Sequence, residues 1–138
     1  MPHVRLYYHI VFRTKYRRNT IEQDHEKELY AYILTFCNNR NIKLFRIGGM
    51  PNHIHMLIGT GSTFILSDFM RELKRNSSKM LSGNPHFPLF EGWGDEYGCD
   101  TVSFHEVDHV RNYIRNQKEH HVIVSFEDEL KRIFGIEE

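Results

Sequence analysis

No apolar run in this sequence approaches the ~20 residues that a bilayer-spanning helix needs, and Met1-Pro2-His3-Val4-Arg5 has none of the apolar core of a secretion signal. The expectation is a cytoplasmic protein with no membrane partner. Cysteine is scarce as well. Cys37 and Cys99 are the only two, they stand far apart, and neither belongs to a CxxC pair, so a zinc knuckle is excluded and a structural disulfide is not expected. Both read as small apolar thiols. Net charge is missing too: eighteen Lys and Arg balance eighteen Asp and Glu, which excludes a chain that coats nucleic acid through bulk charge. No repeat, linker or low-complexity segment interrupts the sequence.

What is present belongs to a packed protein. With 138 residues, 40% hydrophobic and 13% aromatic, the chain suits one folding unit over 1–138, well clear of the composition that keeps chains disordered. Its charge is local. Arg13, Lys15, Arg17 and Arg18 form one basic cluster, Arg71, Lys74, Arg75 and Lys79 a second, and Arg111, Arg115 and Lys118 a third. Acids gather in 22–28, 91–100 and 127–138. Such runs fit solvated faces as well as phosphate tracks.

Hydrophobic periodicity orders the elements. Arg5 to Arg13 reads as a strand in which Leu6, Tyr8, Ile10 and Phe12 alternate with a mixed face. A surface helix is expected from about Thr20 to Asn39. Ile42 to Met50 and His53 to Gly59 read as neighbouring strands joined by a tight turn at Pro51-Asn52. Ser67 is the expected N-cap of a second helix that Gly83-Asn84-Pro85 stops, with its basic residues on the polar side. A loop over Asn84 to Asp95 leads into a strand near Tyr97 to Phe104, and a helix follows from Glu106 to His120. Ser125-Phe126-Glu127-Asp128 resembles a capping box opening a last short helix that Gly135 closes. The class is α+β, an antiparallel sheet with helices packed mainly on one face.

Two patterns carry chemistry. Side chains alternate along a strand, so His53 and His55 share a face about 6–7 Å apart while Ile54, Met56 and Ile58 take the other. Neutral imidazoles of that spacing suit a divalent cation. Taken alone, however, a His-x-His pair in a chain with ten histidines is what chance also sets on a solvated strand. In Arg111-Asn112-Tyr113-Ile114-Arg115-Asn116-Gln117, Tyr113 and Gln117 lie one helical turn apart on one face. A tyrosine hydroxyl can act as a covalent nucleophile in phosphoryl transfer, yet Tyr113 fits equally well as a half-buried residue beside Val107, Val110 and Ile114.

Four blocks in order shift the balance: Tyr8-His9-Ile10-Val11-Phe12-Arg13-Thr14-Lys15-Tyr16-Arg17-Arg18, Met50-Pro51-Asn52-His53-Ile54-His55-Met56-Leu57, the Trp93–Ser103 stretch with Tyr97-Gly98, and Tyr113-Ile114-Arg115-Asn116-Gln117-Lys118-Glu119-His120-His121. Together they resemble the single-tyrosine HUH transposases, the family that moves insertion sequences as single-stranded DNA and includes the REP-associated tyrosine transposases. The resemblance implies a ferredoxin-like, RRM-like sheet whose central strand bears the histidine pair. It implies Tyr113 as nucleophile, His53, His55 and Gln117 as ligands of a Mg2+ or Mn2+ ion, and no nucleotide cofactor. The implied reaction is a transesterification that leaves a 5′-phosphotyrosine link and a free 3′-hydroxyl. Family members are typically homodimers that recognise hairpin ends, with the tyrosine acting in cis or in trans. Arg13, Lys15, Arg17, Arg18, Arg71, Lys74, Arg75 and Arg115 would then track phosphates, and Tyr16 or Trp93 would stack unpaired bases, a core or loop-anchoring role suiting Trp93 at least as well.

One departure stands out. After Tyr97-Gly98 the family commonly has a small residue and then an aromatic, whereas here Cys99-Asp100 follows, an acid beside the expected site. The alternative reading is a domesticated relative that grips DNA or RNA hairpins without cutting. Relaxases place the tyrosine before the histidine pair, whereas Tyr113 follows it, and rolling-circle initiators usually carry further domains. A metal-dependent hydrolase unrelated to DNA would not need Tyr113.

Overall fold

Apolar residues at every second position of two strands dictate a sheet with one deeply buried face: Ile10 and Phe12 on one strand, and Ile54, Met56 and Ile58 on the other, are each 0–1% exposed. The computed structural model describes residues 3–116. Its elements are β1 (Leu6–Thr14), α1 (Glu26–Asn38), β2 (Lys43–Met50), β3 (His53–Thr60), α2 (Leu66–Leu81), β4 (Trp93–Val102) and α3 (Val107–Arg115), with short 3-10 turns at Lys15–Arg17, Gln23–His25 and Phe104–Glu106. The sheet runs β2-β3-β1-β4, with every pairing antiparallel. A β-α-β-β-α-β chain whose first and third strands lie at the centre is the ferredoxin-like arrangement. The α+β expectation therefore holds.

The first two helices and α3 take opposite faces of the sheet. Leu29, Ile33 and Phe36 of α1 and Phe69, Met70 and Leu73 of α2 close over Ile10, Phe12, Ile54, Met56 and Ile58. Burial of each such side chain contributes roughly 1.5–3 kcal/mol. Among the described residues, α3 is the helix that packs on the other face. Val107 and Ile114 of α3 pack on Leu57, with Tyr7, Phe45, Val102, Val110 and Tyr113 around them. The alternation that sends Ile54 and Met56 into the main core sends His53 and His55 toward α3.

Several boundaries differ from expectation for physical reasons. The N-cap of α2 is Ile65, and Ser67 lies inside the first turn, because the Phe69 amide donates to the Ile65 carbonyl at 3.1 Å. α1 starts at Glu26 after a 3-10 turn, later than the acids near Thr20 imply. β4 begins at Trp93, four residues early, since the Trp93 indole packs edge-on to Phe12 at 4.8 Å and donates to Ser77 Oγ at 2.9 Å. That burial decides between the two readings of Trp93, base stacking and core anchoring, in favour of the core. Residues 117–120 of the expected third helix, and the expected helix from Ser125 to Gly135, lie outside the described residues. Among the described residues no helix is long and apolar enough to cross a membrane.

Candidate active site

His53 and His55 open β3, the inner strand between β2 and β1, and both side chains are fully buried. Their rings stand 5.1 Å apart at 71°. Buried imidazoles need partners, and each has one at Nδ1. His53 Nδ1 lies 2.7 Å from Asn52 Oδ1, an oxygen that can only accept, so the proton of a neutral His53 sits on Nδ1. His55 Nδ1 lies 2.9 Å from Nε2 of His9, a β1 residue 7% exposed. With Nδ1 engaged on each ring, Nε2 is the atom that each would offer to an ion. This donor set fits a divalent cation, with Asn52 and His9 as the outer partners that orient metal-binding histidines.

For His55 to ligate through Nε2, its Nδ1 must carry the proton and donate to His9 Nε2. The proton of His9 then belongs on its own Nδ1. His9 would thereby set the tautomer of a metal-bound His55, a role that residue type and spacing alone did not assign to it. Asn52, read as a turn residue, would do the same for His53. The signal for both was present: His9 lies on the mixed face of β1, and Asn52 immediately precedes the pair.

Tyr113 comes to this point from α3. Its ring lies 5.8 Å from that of His55 and 6.1 Å from that of His9, edge-on to both. The close approach of α3 depends on Gly48, which pairs with His55 across β2 and β3. A Cβ on Gly48 would stand 3.1 Å from the Ile114 carbonyl oxygen and 3.2 Å from Ile114 Cγ2. The missing side chain beside His55 is thus the seat of the helix that carries Tyr113. Gln117, the expected third ligand, lies outside the described residues.

The basic residues divide between the two faces. Arg13 pairs with His53 across β1 and β3, and so shares the histidine face, where it meets Glu96 at 3.6 Å. Beyond it, the Lys15–Arg17 turn is tied to the Pro51-Asn52 turn by the Thr14 amide, which donates to the Asn52 carbonyl at 3.0 Å. Tyr16 and Arg17 both adopt left-handed backbone, φ 60° and 59°, a conformation that costs a side-chain-bearing residue on the order of 1–3 kcal/mol. The turn holds Tyr16 67% exposed, with Arg18 Cζ 4.9 Å and Lys15 Nζ 5.4 Å from its ring. Arg18 also pairs with Glu91 at 3.2 Å. Arg115 ends α3 and lines a cavity of about 450 Å3 with Glu26, Tyr30 and Arg46. By contrast, Arg71, Lys74 and Arg75 ride on α2, across the sheet from the histidines. Arg71 pairs with Asp68 at 3.1 Å, and Lys74 donates to the Gly94 carbonyl at 2.8 Å, bracing β4.

Cys99 and Asp100 part ways. Cys99 packs against the α1–α2 core, where burial pushes its thiol up to about 11, so it stays protonated at neutral pH. Asp100 pairs with His9 across β1 and β4 and is exposed on the histidine face.

A family model described as IS200-like transposase matches residues 3–117. The transposase of insertion sequence element IS200 from Salmonella typhimurium is 32% identical over 117 residues, covering 81% of this chain and 76% of that protein. A crystal structure of a transposase from Deinococcus radiodurans R1 superposes with a TM-score of 0.62 at 27% identity, covering 84% of this chain and 93% of the other. The REP-associated tyrosine transposase solved with a REP hairpin superposes with a TM-score of 0.66 at 16% identity, covering 86% and 70%, a likeness of fold.

Proposed function

The chain belongs to the IS200-like transposase family, and from that premise we propose that it cuts and rejoins single-stranded DNA by transesterification, with Tyr113 as nucleophile. The observation that carries the reading is the meeting of Tyr113 from α3 with His55 from β3 and His9 from β1, at ring separations of 5.8 and 6.1 Å. The Tyr113 hydroxyl oxygen attacks the phosphorus of a single-stranded phosphodiester. The new bond is P–O(Tyr113), the bond to the 3′-oxygen breaks, and that oxygen leaves as a free 3′-hydroxyl after taking up a proton. A 3′-hydroxyl attacking the phosphotyrosine link reverses the step and rejoins strands.

His53 and His55 would hold a divalent cation through Nε2, and the amide oxygen of Gln117 would add a harder donor suited to Mn2+ or Mg2+. When bound, such an ion neutralises charge on the scissile phosphate. In a single chain Tyr113 already packs on the chain's own histidines, which favours use in cis within a cytoplasmic homodimer. Arg13 and the Lys15–Arg18 turn offer phosphate contacts at the histidine end of the sheet, with Tyr16 as an exposed face for an unpaired base of a hairpin end.

Incubation of the full chain with a labelled hairpin oligonucleotide bearing a single-stranded flank, in Mn2+, should yield a covalent protein–DNA adduct that survives denaturing electrophoresis. Tight binding across candidate end sequences with no adduct would instead make the chain a non-cutting hairpin binder. Gly48 provides a second check. Gly48→Val forces Ile114 and with it α3 away from β2, and a displacement of about 1 Å at the reacting groups lowers the cleavage rate by roughly 100-fold. The circular dichroism spectrum of the sheet should not change.

A further inference from the structure

Across the sheet from Tyr113, a second group of ligating side chains joins the start of α1 to the loop between α2 and β4. His25 closes the Gln23–His25 turn, Glu28 lies in the first turn of α1, and His86 lies in the loop. The rings of His25 and His86 stack at 4.1 Å and 6°. His86 Nδ1 lies 2.7 Å from Glu28 Oε2, and Asn84 Nδ2 donates to Glu28 Oε1 at 3.0 Å. One ligand atom from each of the three residues falls within 4.8 Å of the others.

We propose that His25, Glu28 and His86 form a second metal site for a borderline divalent cation such as Zn2+, which fastens the loop before β4 to the N-terminus of α1. Three ligands on bonds of about 2.1 Å around a tetrahedral ion lie roughly 3.4 Å apart, so the observed spread closes as the half-buried His25 ring and the exposed Glu28 and His86 side chains rotate, the two rings tilting out of their parallel stack so that both lone pairs meet at the ion. Both supporting segments are anchored, Glu28 by its neighbour Leu29 and His86 by its neighbour Phe87, which are 0% and 2% exposed. The loop is also pre-shaped, since the His86 amide donates to Asn84 Oδ1 at 3.0 Å. Two imidazoles in face-to-face contact repel when both are protonated. A shared cation keeps both neutral and uses their lone pairs. Two nitrogens and one carboxylate select Zn2+, Co2+ or Ni2+ over Mg2+, and acids at Glu22, Asp24 and Glu26 offset the positive end of the helix.

The test counts Zn2+ bound at equilibrium dialysis by the tag-free full chain, with thermal melting alongside. Wild type should bind one equivalent more than His86→Ala, and Zn2+ should raise its melting temperature more than that of the variant. The difference is independent of whether His53 and His55 load, because that pair is intact in both proteins. Glu28→Gln keeps a side chain that can hydrogen-bond Asn84 and His86 while losing the anionic ligand, so it too should lose one equivalent, even if His86→Ala unfolds. Equal Zn2+ stoichiometry and equal melting shifts in wild type and Glu28→Gln would overturn the site and leave only a surface His–Glu hydrogen bond.

Discussion

Tyr113→Phe should fold, bind the hairpin substrate and form no covalent adduct. Tyr113 is half-buried against Val107 and Ile114. Phenylalanine preserves the ring that packs edge-on to His55 and His9 and removes only the hydroxyl. Loss of one hydroxyl hydrogen bond changes stability by about 0.5–1.5 kcal/mol, too little to unfold a domain. Loss of a covalent nucleophile, by contrast, lowers the chemical step by on the order of 10⁴-fold or more. Denaturing electrophoresis with labelled oligonucleotide reads the adduct, and fluorescence anisotropy reads binding. Persistent cleavage at the wild-type rate would remove Tyr113 from the chemistry and point to hydrolysis instead.

The parts of this site that the sequence displayed are those that follow from local period. Alternation along His53-Ile54-His55-Met56 sets two imidazoles on one face and two apolar groups on the other, and the fold keeps that division. A helical turn at Tyr113 likewise follows from its neighbours Val107, Val110 and Ile114. Period says which face a residue takes but not which strand lies beside it. His9 therefore carried no role until β1 was seen to pair with β3, setting its Nε2 2.9 Å from His55 Nδ1. Trp93 was left between two readings for the same reason. Flanked by Gly92 and Gly94 it has the look of a loop residue, and only the packing of Phe12 and Phe90 on its ring makes it a core anchor. The basic run on α2 repeats the lesson: helical spacing groups Arg71, Lys74 and Arg75, while the choice of sheet face separates them from the histidines.

If His9 acts through His55, the two residues must behave as a unit rather than as additive contributors. His55→Ala removes a ligand and should reduce metal-dependent adduct formation to background. His9→Ala leaves both ligands but frees the His55 ring to rotate and to take the wrong tautomer, and loss of such an outer partner weakens metal affinity or activity by about 10- to 100-fold. Added to His55→Ala, the His9 substitution should cost nothing further, because the ring it orients is already gone. His9→Gln, which can still accept from His55 Nδ1 through its amide oxygen, should recover part of the loss in Mn2+ affinity. A purely structural His9 predicts the opposite pattern: lowered thermal stability in every background, equal Mn2+ affinity once the variant is folded, and no rescue by glutamine. Mn2+ titration followed by adduct yield across the four proteins of the cycle separates the two outcomes, since orientation moves the Mn2+ midpoint and packing moves only the melting temperature.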